Sequence, residues 1–183
     1  RIYNCFRHEC SSKSQDKIMA QQIPWKPSHN PWLTCIPLMV AAFMFVLDET
    51  IANVALPYMA GSFSVSRQES TWVLTSYLIA SGIAIPSVDF FSKFMGRKNF
   101  FIAGIILFTV SSLLCGLANS LPMMVLTRIL QGFGGGVLLP LAQAINLELF
   151  PVEKRAQSMA LFGLVVVIAP IIGPVLGGWI TTN

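Results

Sequence analysis

Residues 32–59 read WLTCIPLMVAAFMFVLDETIANVALPYM, a run whose only charged side chains, Asp48 and Glu49, stand next to each other about midway. A bilayer crossing takes about 20 predominantly apolar residues, and this run exceeds that length. Four more runs of the same kind follow, at about 71–91, 100–117, 123–147 and 156–180. The chain is 54% hydrophobic and 11% charged, with a mean hydropathy of +0.66, whereas a soluble domain carries about 25% charged residues. The apolar spacing is helical and lacks the ~10-residue alternation of an outer-membrane barrel. We therefore expect an all-α integral membrane protein, with a segment 1–31 ahead of a transmembrane domain 32–183. The connections "AGSFSVSRQES", "SKFMGRKN", "ANSLP" and "FPVEKR" are short, which predicts that successive spans lie side by side and antiparallel.

Basic residues orient such a bundle, because Lys and Arg in short loops stay on the cytoplasmic side. Arg1, Arg7, Lys13, Lys17 and Lys26 precede the first span, Lys93, Arg97 and Lys98 lie in the second connection, and Lys154 and Arg155 lie in the fourth. These ten of the twelve basic residues fall on one side, which places the N-terminus in the cytoplasm and the protein in the inner or plasma membrane. The net charge of +4 and the pI near 9.0 then need no nucleic-acid partner. Cys5 and Cys10 flank His8, a weak zinc pattern without a second ligand pair, so no metal site is expected; Cys35 and Cys115 sit inside spans. The residues up to Lys17 look unlike the rest and no Met opens them, which makes Met19 the expected start. The first run is too long for a secretory signal and has no small-residue cleavage site. From the odd number of spans, ending at "GGWITTN", we expect a fragment.

Ionisable residues at membrane depth cost about 2.5–3.5 kcal/mol each on insertion scales, and those that persist face a cavity or a partner and include proton carriers. Asp48 is the expected proton site. Glu49, ~100° further round the helix, is expected to line a cavity together with Asn53; the alternative role for Asp48 is to cap a helix break, with hydrogen bonds from Thr50. In residues 128–146, "RILQGFGGGVLLPLAQAIN", Arg128 and Asn146 are eighteen residues apart, five turns at ~3.6 residues each, with Gln131 and Gln143 within about 60° of that line. A polar stripe with a permanent cation predicts a water-filled path lined by Gln131, Gln143 and Asn146. Arg128 cannot shed its charge, so it needs an anion, either Asp48 or a substrate group.

Glycine gives the next signal, in "GFGGG" at 132–136 and "APIIGPVLGG" at 169–178. Ala169, Gly173 and Gly177 form a small-x-x-x-small ridge that lets another helix approach closely. Pro170 and Pro174 remove two backbone donors from one face and predict a bend at which an interface hinges. There is no Walker loop, no G-x-S-x-G, no H-E-x-x-H and no nucleotide fingerprint. That points away from an enzyme and from a cofactor, and towards an ion gradient, worth ~2.3 kcal/mol per charge per 100 mV, as the energy source.

Several of these segments together resemble the major facilitator superfamily, and within it the 14-span drug:proton antiporter branch of EmrB/QacA type, over about 31–182. "LDETIANVALP" at 47–57 resembles that branch's first-span motif L-D-x-T-x-x-N-x-A-L-P. "RILQGFGGG" at 128–136 is similar to its fourth-span R-x-x-q-G-x-g-a-a, including Gly132 and Gly136, and "APIIGPVLGG" to the fifth-span exporter motif g-x-x-x-G-P-x-x-G-G, with Gly173, Pro174, Gly177 and Gly178 in place and Ala169 at the first small position. The loop motif G-x-L-a-D-r-x-G-r-k is degraded. "DFFSKFMGRK" keeps Gly96, Arg97 and Lys98 but has Asp89 at the first Gly and Lys93 at the Asp, which makes Asp89 the candidate for the displaced carboxylate.

The resemblance implies two six-helix halves plus two extra spans, working by alternating access with sites near the midplane, of which this chain holds the first five helices of the N-terminal half. It also implies proton coupling through Asp48 and Arg128, substrates that are lipophilic or cationic small molecules, and a lipid bilayer around them, with a periplasmic adaptor protein as partner in EmrB-type members only. A fragment of five spans is not expected to transport by itself. Two rivals are an importer or uniporter of organic solutes and a non-transporting membrane sensor on the same fold.

Overall fold

The computed structural model describes residues 31–182. Within them the chain forms five helices: α1 (Pro31–Ser62), α2 (Arg67–Met95), α3 (Arg97–Gly116), α4 (Leu121–Leu149) and α5 (Val152–Thr182). All five are long and apolar enough to cross a membrane, which makes this a multi-pass membrane protein. The cysteine and histidine pattern at Cys5, His8 and Cys10, the start expected at Met19 and the segment ahead of Pro31 lie outside the described residues.

The helices overrun the apolar runs, because caps as well as hydropathy set their ends. Ser66 and Glu69 form a reciprocal capping box: the Ser66 hydroxyl accepts from the Glu69 amide at 3.2 Å and the Glu69 carboxylate accepts from the Ser66 amide at 2.9 Å. Two orphan donors are thus satisfied, and α2 begins at Arg67, before the apolar run itself. Helices α1, α2, α4 and α5 pass through Pro37, Pro57, Pro86, Pro140, Pro170 and Pro174 without ending, as lipid allows when neighbouring groups re-satisfy the freed backbone.

Between α2 and α3 the chain turns on Gly96, with φ +79°. With ψ at 141° the backbone lies in a positive-φ extended region that is almost confined to glycine, where an L side chain is strained by about 1–3 kcal/mol, while the space around the position is open. Gly96→Ala in the full-length protein is therefore expected to lower stability by about that amount, read as a fall in Tm in detergent; an unchanged Tm would mean that the turn is made some other way.

Helix α4 is the axis of the bundle. It runs along α2 and α3 and also touches α1 and α5, and α5 leans mainly on α1. Among consecutive helices only α3 and α4 pack extensively; α1–α2, α2–α3 and α4–α5 meet slightly. This corrects the expectation that successive spans lie side by side, and the reason is where the small residues sit. Lipid tails are as apolar as leucine, so close packing rather than hydrophobic exclusion selects the partner. A Cβ on Gly132 would stand 2.5 Å from the Tyr77 carbonyl oxygen, one on Gly136 2.7 Å from Ser81 Cα, and one on Gly134 2.7 Å from the Phe108 amide nitrogen. The glycines of α4 thus admit the backbones of α2 and α3. On α5, Gly173 lies against Thr50, Gly177 lies against Ile51 and Val54, and Ala169 is fully buried, so this ridge faces α1. Leu38, Ala42, Phe101, Phe108, Leu138 and Phe162 fill the core, while Leu33, Ile83, Leu113, Leu126 and Val175 point outwards.

Candidate functional site

The site is built where α1 crosses α4. Asp48 and Arg128 lie 80 residues apart in sequence, yet the Arg128 Nη1 donates to Asp48 Oδ2 at 2.7 Å. Their side chains are 8% exposed for Arg128 and 21% for Asp48, so the pair is largely withdrawn from its surroundings. Charge-assisted hydrogen bonds of this kind are about twice as strong as neutral ones. The guanidinium carbon stands 5.9 Å from the centre of the Tyr77 ring, within cation–π reach, and the Tyr77 ring in turn leans on Phe45 at 6.2 Å. Asp48 caps no break, since α1 continues through it. Thr50 instead turns back on its own helix, donating to the carbonyls of Val46 at 3.1 Å and Leu47 at 2.9 Å.

Beside the pair is a cavity of about 50 Å³ lined by Glu49, Ala52, Asn53, Leu74, Tyr77, Leu78 and Arg128. Asp48 and Glu49, being adjacent on one helix, thus serve different neighbours, the first an arginine and the second the cavity. Asn53 donates to the backbone carbonyl of Glu49 at 2.9 Å. The described residues contain two ion pairs, Arg97–Glu148 and Arg128–Asp48, and neither involves Glu49. Three buried polar atoms have no protein partner, namely Tyr77 Oη, Arg128 Nε and Gln131 Nε2. Such atoms are normally served by water or ligand.

The remaining stripe residues go elsewhere. Gln131 and Asn146 are fully buried. Gln131 Oε1 accepts from the Cys115 thiol of α3 at 3.4 Å. Asn146 Oδ1 accepts from Ser158 of α5 at 2.6 Å and from the Cys35 thiol of α1 at 3.2 Å, while its Nδ2 meets Met159 Sδ at 3.6 Å. Gln143 is half-buried and absent from the cavity wall. The stripe expected to line one water path is thus divided, and of its members only Arg128 borders this cavity. Arg128 and Asn146 share an angle on α4 but are separated by about 27 Å of helical rise, so different helices cross in front of them.

In the connection after α2, Arg97 pairs with Glu148 at the end of α4, and not with Asp89, which is exposed, as are Lys93 and Lys98. Both members of the Arg97–Glu148 pair are about half exposed, a setting in which ion pairs contribute about 0–1 kcal/mol. Glu148 escaped the sequence reading because it falls just beyond an apolar run; its being an acid at the same membrane side as a basic loop was the available signal. Tyr77 was also missed, although a hydroxyl-bearing ring inside an apolar span is itself a pointer. Pro170 and Pro174 are exposed on a continuous α5, and Gly178 is half-buried. Among the described residues no group of His, Cys, Asp and Glu is placed to hold a metal ion.

Five apolar helices, tight glycine-mediated crossings and a partly buried charge pair define a multi-pass helical membrane bundle. Residues 38–183 match the family model described as Major Facilitator Superfamily, and the chain belongs to that superfamily. It is 44% identical over 151 residues to the multidrug export protein EmrB of Haemophilus influenzae, which covers 82% of this chain and 30% of that protein. It is 42% identical over 160 residues to the fatty acid resistance protein FarB of Neisseria gonorrhoeae, covering 87% of this chain and 31% of FarB. With the EmrB of Escherichia coli K12 the identity is 41% over 165 residues, covering 90% and 32%. The chain spans about a third of the length of these curated relatives.

Proposed function

We propose that this chain is the N-terminal membrane part of a proton-coupled exporter of lipophilic or cationic small molecules, working by alternating access, multi-pass in the inner or plasma membrane, with residues 1–31 in the cytoplasm. The observation that carries the proposal is the Asp48–Arg128 bond of 2.7 Å bordering a cavity. Arg128 stays charged at any physiological pH, so the bond is an ion pair only while Asp48 is ionised. A proton on Asp48 removes the charge that ties α4 to α1. Gly173 of α5 lies against Thr50, two residues from Asp48, so loosening the tie acts directly on the α1–α5 interface that the small-residue ridge keeps close. Substrate entering the cavity competes for the same polar groups, and a proton gradient supplies the drive. Export rather than import is supported by relatives named for multidrug export and fatty acid resistance. A periplasmic adaptor is a candidate partner of the whole assembly.

The test uses the full-length protein in proteoliposomes under an imposed pH gradient, recording lumenal pH when ethidium is added. Substrate-triggered proton flux is expected and should fall to background in Asp48→Asn. Full flux in that variant would sink the mechanism, and absence of flux with any substrate would favour a sensor.

A further inference from the structure

Tyr77 lies outside the Asp48–Arg128 pair, and we infer that it is a positioning residue for the proton step: its side chain is a second seat for Arg128, occupied when Asp48 takes up a proton. The inference rests on the exporter function proposed above. Arg128 is 6% exposed and cannot discharge. A proton on Asp48 therefore strands a buried cation, which is strongly unfavourable unless another group holds it.

The ring is already in place. Its centre is 5.9 Å from the guanidinium carbon, and a cation–π contact gains weight where the cation is desolvated. The hydroxyl completes the seat. Three buried side-chain atoms of the described residues have no protein partner: Tyr77 Oη, Arg128 Nε and Gln131 Nε2. The two nitrogens only donate, whereas a phenol oxygen also accepts. Tyr77 Oη is thus the one acceptor among them, and the unused Arg128 N–H is a donor of matching kind. Protonation of Asp48 weakens the bond from Arg128 Nη1 from an ion pair to a contact with a neutral acid. A guanidinium shifted towards α2 then satisfies both orphan atoms with one charge-assisted hydrogen bond.

The glycines of α4 fix this seat. A Cβ on Gly132 would stand 2.5 Å from the Tyr77 carbonyl oxygen, and one on Gly135 would stand 2.8 Å from Phe45 Cδ2. Phe45 supports the Tyr77 ring at 6.2 Å, and Tyr77 is 2% exposed. The phenol is therefore held by α1 and α4, and the long Arg128 side chain is the part able to move. The other charged or titratable groups of the described residues that face the pair are Glu49 on α1 and Cys115 on α3. The Cys115 thiol is engaged by Thr127 and Gln131. Helix α5 faces α1 at Thr50 with Gly173, and its ionisable residues Glu153, Lys154 and Arg155 lie at its start. Glu49 is accordingly the rival seat for Arg128.

The experiment follows ethidium–proton exchange by the full-length protein in proteoliposomes as a function of pH. Tyr77→Phe keeps the ring and removes only the oxygen. The proton-loaded form then loses one hydrogen bond to a charged group, about 10–100-fold in its population. A less stable proton-loaded form needs more acid to fill, so the pH of half-maximal exchange is expected to fall by about 1–2. Tyr77→Leu, which removes the ring as well, should move it further in the same direction, whereas a residue that only packs would lower the rate and leave the midpoint unchanged. Should these variants fail to assemble, 2-fluorotyrosine at position 77 of the otherwise unaltered protein gives a second readout. Its fluorine NMR shift is expected to change with pH at the midpoint of exchange, and to stay at its low-pH value in Asp48→Asn. An unchanged midpoint in Tyr77→Phe, a fluorine signal indifferent to pH, or a midpoint that moves in Glu49→Gln but not in Tyr77→Phe would overturn the inference while leaving the exporter function standing. Exchange that is indifferent to Asp48→Asn would overturn the exporter function itself.

Discussion

Gly136→Val is expected to destabilise the folded protein by about 3 kcal/mol or more. A Cβ at this position alone would stand 2.7 Å from both the Cα and the carbonyl oxygen of Ser81. These are backbone atoms of α2, and no side-chain rotation relieves the clash. Helix α2 would have to move away from α4, along the most extensive helix contact in the structure. Overpacking a tight core by a methyl or two typically costs about 1–3 kcal/mol, and a rigid backbone neighbour places this substitution at or beyond the upper end. That is a large share of the roughly 5–15 kcal/mol by which folded domains are stable. The consequence reaches the site, because Gly132, one turn earlier, lies against the Tyr77 carbonyl, and Tyr77 stands under Arg128. Size-exclusion profiles of the full-length protein in detergent would show aggregate in place of a monodisperse peak. Gly163→Ala, whose new methyl meets open space, serves as the tolerated control. A wild-type profile and Tm for Gly136→Val would refute the packing account.

Arg128→Met is expected to destabilise by about 3–5 kcal/mol, the usual result of stranding one member of a buried pair. The stranded group is Asp48, at 21% exposure. Removing its charge as well, in the double variant Asp48→Asn with Arg128→Met, should recover most of that loss, since a matched apolar or neutral replacement of a buried pair is often tolerated. Contacting residues couple by about 0.5–3 kcal/mol in such cycles. If Asp48 carries the proton as proposed above, proton-driven efflux should nevertheless stay at background in the double variant. Thermal unfolding and proton flux, measured on the same three variants, thus separate holding the helices from coupling the proton. A double variant as unstable as the single one would show that the pair does not hold α1 against α4. The exposed Arg97–Glu148 pair provides the contrast, since neutralising either partner there should change stability by about 1 kcal/mol or less.

Much of this was legible from one-body properties of the residues. Apolar length dictates spanning helices, because within lipid every backbone group must be bonded inside its own segment or a closed barrel. A carboxylate and an arginine at membrane depth announce themselves by what they cost there, and an arginine that cannot discharge demands an anion, which Asp48 turns out to supply. Runs of glycine and alanine at four-residue spacing mark helices that approach closely. The S-x-x-E at 66–69 is equally legible as a capping signal.

The tertiary structure alone decided which helices meet and therefore what each polar side chain faces. The 3.6-residue period sets the angle at which Gln131 or Asn146 leaves α4, but the neighbour at that angle depends on where glycines let α2, α3 or α1 come close, which is a property of two surfaces at once. For that reason the single stripe became separate contacts, Arg97 found Glu148 rather than Asp89, and Tyr77 came to lie beneath Arg128. For the same reason Glu49, legible from its sequence position as an acid in a greasy run, acquired a cavity only when α2 placed Leu74, Tyr77 and Leu78 across from it.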